Sequence, residues 1–151
     1  MKKAILLSFA LLLTACLEEE PATMTFGLEL SVLHDNLPRD QVGSMCVPPG
    51  AHSGEGTGFG AWGNEEAPPH LFVDAEPDAE DNVYRVQVYV ASERDADGIW
   101  WTPSEVLAER SYDGAFGESG GEDSFVVDFE GQPYTTLVLG LPASTTPCPT
   151  R

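Results

Sequence analysis

Lysine is almost missing from this chain. Of 151 residues only Lys2 and Lys3 are lysines, and the other basic residues are Arg39, Arg85, Arg94, Arg110 and Arg151. Against 25 acidic residues the formal net charge is −18. Such a surface repels nucleic acid and anionic lipid, which makes both poor partners and leads to no expected nucleic-acid partner. It suits solubility, divalent cations or a basic partner. Long apolar runs are missing too. The apolar stretch Ala4 to Leu13 is about half of the roughly 20 residues that a membrane-spanning helix needs. Metal-site spacing is also lacking. His34, His52 and His70 lie in three separate polar regions and are expected to be solvated loop residues. Neither Cys46 nor Cys148 has a second ligand at zinc-like spacing. No amphipathic pattern lasts three helical turns, and there is no clear internal repeat.

What the chain has instead is alternation. Met24, Phe26, Leu28, Leu30 and Val32 alternate with Thr25, Gly27, Glu29 and Ser31, the period of a half-buried strand. The same period runs through Tyr84–Val90, Phe125–Phe129 and Leu137–Leu141. The last of these is apolar on both faces, as a central strand would be. Shorter candidates are Leu71–Val73, Phe59–Trp62 and Met45–Val47, with an irregular Gly-rich loop expected across Gly50–Gly63. Turn signals at Asp97-Gly98, Gly120-Gly121 and Glu130–Pro133 separate the strands. About seven strands with short turns predict a mainly β chain: a single β-sandwich, immunoglobulin-like or similar, over residues 24–151. One short helix is expected at Pro103–Arg110. Thr102 would cap it, Pro103 would be its first residue and Glu105 would complete a capping box. The competing reading is a strand with Val106, Ala108, Arg110 and Tyr112 on one face.

The N-terminus carries a different kind of signal. Lys2-Lys3 precede the apolar stretch, and Leu13-Thr14-Ala15-Cys16 follows it. This segment resembles the signal peptide and lipobox of bacterial lipoproteins. The resemblance covers residues 1–16 only. It implies cleavage after Ala15 and lipidation of Cys16, leaving a tether over 16–23 and a membrane anchor of three acyl chains. Two membrane-binding signals already give stable anchoring. In the lipoproteins it resembles, an aspartate after the cysteine marks retention in the inner membrane. Leu17 stands there instead and points to the outer membrane. Glu18-Glu19-Glu20 is a solvated tether or a signal for display on the cell surface. Loss of Lys2 and Lys3 with the signal takes the formal charge from −18 to −20. Export also places Cys46 and Cys148 in an oxidising compartment, where pairing is the default and two free thiols the alternative.

Four groups of residues have a composition that could carry chemistry or binding. Gly117-Glu118-Ser119-Gly120-Gly121 fits a nucleophile pattern and resembles the serine loop of trypsin-like proteases. A strand follows it rather than a helix, so it reads as a flexible turn. Gly58–Gly63 matches a phosphate-loop pattern, but no buried strand precedes it and no helix follows. Asp78 and Asp81, with Asp95 and Asp97, are candidate Ca²⁺ ligands, since the ion takes six to eight oxygens. The acidic stretches otherwise read as solvated turns. Trp100-Trp101 is expected to send one ring to the core and one outward as a contact for a partner, while Trp62 is a third notable aromatic. The expected function is non-catalytic binding or structural work in the envelope, with an envelope protein or a glycan as partner. The alternatives are Ca²⁺-dependent adhesion and a small envelope hydrolase.

Overall fold

The structure is a computed structural model that describes residues 20–34, 43–55, 69–99, 101–144 and 148, and the backbone alone of 58–62. Its strands are β1 (Phe26–His34), β2 (Gly43–Val47), β3 (Gly58–Trp62), β4 (His70–Asp78), β5 (Val83–Arg94), β6 (Trp101–Asp113), β7 (Glu122–Phe129) and β8 (Gln132–Pro142). One helix, α1 (Gly114–Glu118), links β6 to β7. The strands form two four-stranded antiparallel sheets, in the orders β2-β1-β8-β7 and β3-β4-β5-β6. β8 lies between β1 and β7, as its two apolar faces suggest.

The alternating residues meet between the sheets. Phe26, Leu28, Leu30 and Val32 of β1 and Val138 of β8 pack against Leu71 and Val73 of β4 and Tyr84, Val86 and Val88 of β5, all at most 2 % exposed. β7 adds Phe125, Val127 and Phe129. Burying a side chain of this size contributes roughly 1.5–3 kcal/mol. The period-2 pattern therefore selects the sandwich, because a one-residue slip would turn each apolar row to solvent.

Pro103–Arg110 is not a helix. It lies within β6, where Ala108, Arg110 and Tyr112 pair with Val88, Val86 and Tyr84. A helix there would leave much of the outer backbone edge of β5 unpaired, and the six cross-strand pairs that Pro103–Arg110 makes with β5 outweigh one capping box. A bulge-like register shift opposite Val88 and Tyr89 puts Val106 on the other face from Ala108, so the competing strand reading was right in type and wrong for Val106. The helix sits one step later. Asp113 caps α1 by accepting the Phe116 N–H at 3.0 Å.

α1 closes one end of the sandwich. Gly117 touches Phe26 so closely that a Cβ would lie 1.9 Å from the ring. Gly140 faces it in the same way, with a Cβ there 2.8 Å from the Gly117 Cα. Asn82 and Glu118 both bond to Thr25 and tie the start of β1 to this end. The β7–β8 hairpin turns on Glu130 and Gly131, both at positive φ (53° and 73°), the two-residue geometry that matches strand twist.

Candidate functional site

Trp101 begins β6 and is half-buried, on the outer face of the second sheet rather than between the sheets. The residues beneath it follow from the alternation of β4 and β5. Leu71 and Val73 point inward, so His70 and Phe72 point outward. The register pairs His70 with Ala91 and Phe72 with Tyr89. Phe72 and Tyr89 stack at 5.4 Å and 16°. The Trp101 ring rests on this base, 5.5 Å from Phe72 and 5.0 Å from His70. Phe72, Tyr89 and His70 are themselves buried.

Arg94 holds the other side of the tryptophan. Its guanidinium lies 4.8 Å from the centre of the Trp101 ring and donates to the Gly98 carbonyl at 3.0 Å. The turn is fixed in turn by Asp95, whose carboxylate accepts the Ile99 N–H at 2.9 Å. Ile99 and Val106, 64 % and 50 % exposed, add apolar surface in the turn and opposite Tyr89. Burial raises the Tyr89 hydroxyl pKa, and the Asp74 carboxylate adds to the shift. The Trp101 ring therefore lies between this aromatic base and the Arg94 guanidinium over it, and with Ile99 and Val106 it forms an aromatic and apolar patch able to pack against a partner.

A second concavity crosses the outer face of the first sheet. Across the strands, Glu29, Leu139 and Glu122 form one row, and Ser31, Leu137 and Ser124 form the next. Together with Asp123 and Val138 they line a shallow hollow of about 620 Å³. Cys46 extends the first row on β2 and is bridged to Cys148, with the Cα atoms 5.7 Å apart. The disulfide expected from the cysteine count therefore ties Cys148 to β2 beside this face.

The other expected site residues are not brought together. Asp78 ends β4 and Asp81 lies in the turn to β5, whereas Asp95 and Asp97 lie in the β5–β6 turn. Twelve residues of β5 separate the two turns, about 40 Å at strand rise. A single Ca²⁺ site built from all four is excluded by that distance. Asp78 accepts the Asp81 N–H, and Asp95 caps its own turn. Among the described residues, no three His, Cys, Asp or Glu side chains group around a common point. Ser119 is the C-cap of α1, and its hydroxyl donates to the Phe116 carbonyl at 3.0 Å. Among the described residues it bonds to no histidine. Gly58–Trp62 is strand β3, not a phosphate loop, and Gly63 lies outside the described residues. Cys16 and Trp100 lie outside them too, so the expected division of the two tryptophans applies here to Trp101 alone.

Two histidines differ from expectation. His34 and His70 are strand residues, not solvated loop residues, while His52 is exposed. His34 continues the inward parity of Val32, with its ring 4.5 Å from Tyr134 and both nitrogens out of contact with solvent. His70 shares the parity of Phe72. Extending each apolar alternation by one more step would have placed both histidines on strands.

No family model matches the chain, and neither a curated protein nor a solved structure is significantly similar to it.

Proposed function

We propose that this chain is a lipoprotein held by Cys16 in the outer membrane, whose β-sandwich is a non-catalytic binding module of the cell envelope. The signal and lipobox over residues 1–16 support the anchoring. The observation that carries the binding role is the Trp101 patch. A half-buried tryptophan is held from below by Phe72 and His70, with the Arg94 guanidinium over its ring. A ring positioned before contact loses little conformational freedom on binding, and tryptophan and arginine dominate contact energies. The partner class is an envelope protein or glycan presenting a flat apolar face.

Affinity capture from envelope extracts tests this reading, with wild-type, Trp101→Ala and Ser119→Ala chains as bait. The expected result is a partner retained by wild type and by Ser119→Ala and lost with Trp101→Ala. Truncating such a residue typically costs about 2 kcal/mol or more, roughly 30-fold in affinity. A hydrolytic activity that vanishes with Ser119→Ala would replace binding by catalysis.

A further inference from the structure

Among the described residues, three of the four outer strands carry a device that discourages further pairing. β2 has five residues and carries the Cys46–Cys148 disulfide. β3 also has five, and its register shifts between Phe59 and Trp62. β6 is long, but its pairing with β5 shifts register three times and it contains Pro103. β7 has none of these. Its eight residues pair with β8 without a shift, and it contains no proline. Among the described residues it pairs on one side only. An uncovered, regular edge is a template for another strand, and charge is the remaining protection.

That charge is of one sign. Along the outer face β7 presents Glu122, Ser124, Val126 and Asp128, all exposed, with Val126 at 63 %. A second copy of the chain would bring the same carboxylates and a formal charge of −18, and so be repelled. A cationic strand would not.

We propose that β7 receives an extended cationic segment of a partner protein by strand addition. Cross-strand neighbours share a face and interact in pairs, so the row specifies the segment. Lysine or arginine belongs opposite Glu122 and Asp128, an aliphatic residue opposite Val126 and a small or hydroxyl residue opposite Ser124. The inner face selects in the opposite sense. The Arg110 guanidinium lies 5.3 Å from the centre of the Phe125 ring, so the intervening positions of the segment carry no cation. Backbone hydrogen bonds supply affinity, and the alternation supplies specificity. This edge belongs to the other sheet from Trp101 and stands independently of the Trp101 reading.

Fluorescence anisotropy on the full-length chain in neutral detergent tests the proposal. The probe, set out for antiparallel addition, is a labelled seven-residue peptide with lysine at both ends, threonine fifth and valine elsewhere. Saturable binding is expected, about tenfold tighter than for the same peptide ending in glutamate. The Glu122→Lys/Asp128→Lys double variant should reverse that preference, and Trp101→Ala should leave it unchanged. N-methylation of alternate peptide amides should abolish binding on one peptide edge and spare it on the other. Failure of the lysine peptide to bind wild type would overturn the proposal. So would equal binding of the two charge forms, or undiminished binding of both methylated peptides.

Discussion

Tyr84 links the sandwich core to alkaline pH. Its side chain is fully buried beside Phe26, and among the described residues its hydroxyl has no hydrogen-bond partner. Burial, reinforced by the Glu55 carboxylate, pushes its pKa from 10.0 up to about 12. A hydroxyl that holds its proton more tightly in the folded state stabilises that state below pH 10. The contribution is lost as pH rises from the unfolded value toward the folded one. For one group shifted by two units, about 0.4 kcal/mol is lost by pH 10 and about 1.4 kcal/mol by pH 11. Tyr84→Phe removes this dependence and also removes a buried unpaired hydroxyl, whose desolvation costs about 1–3 kcal/mol. The variant is therefore expected to be at least as stable as wild type at pH 7 and to gain relative to it from pH 9 to 11. Urea unfolding followed by tryptophan fluorescence at pH 7, 9, 10 and 11 measures both effects. Tyr89, Tyr112 and Tyr134 are shifted in the same direction by burial, so the variant should retain part of the alkaline loss. A Tyr84→Phe protein clearly less stable at pH 7, with the wild-type pH slope, would refute the reasoning.

Gly117→Ala should destabilise the fold by about 3 kcal/mol, because its Cβ would overlap the Phe26 ring and α1 would have to lift; thermal unfolding checks this, and an unchanged midpoint would contradict the packing of α1. Mass measurement after alkylation should find the thiols of Cys46 and Cys148 blocked in the denatured protein until it is reduced, and reduction should lower stability by up to about 4.7 kcal/mol for this loop length. Cys16→Ser should abolish incorporation of an alkyne fatty acid and release the protein from membranes; unchanged labelling would count against lipid anchoring.

The fold was legible where side chains alternate without interruption. β1, β5, β7 and β8 follow from Phe26–Val32, Tyr84–Val88, Phe125–Phe129 and Leu137–Leu141 because each buries one face against the other sheet. β6 was misread because its apolar residues are few and its register shifts. Val106 and Ala108 face opposite sides, which hides period 2, while Thr102-Pro103-Ser104-Glu105 offers a local helix start that tertiary pairing overrides. The five-residue α1 is too short to show a helical period, and its glycines serve contact with Phe26 and Gly140 rather than propensity. Trp101 was legible as a notable residue but its setting was not. The patch depends on which residues of β4 and β5 lie opposite one another, and register between distant strands is written in no local motif. That β7 pairs on one side only among the described residues was hidden for the same reason, since strand order decides which edges remain open.

Binding through the Trp101 face is tested most directly by photo-crosslinking in intact cells. A benzophenone amino acid placed at Val106 sits exposed opposite Tyr89 and leaves Trp101 in place. The expected result is a discrete higher-mass adduct that disappears when Trp101→Ala is added, with the thermal midpoint nearly unchanged. No adduct from this position, or an adduct indifferent to Trp101→Ala, would contradict binding through this face.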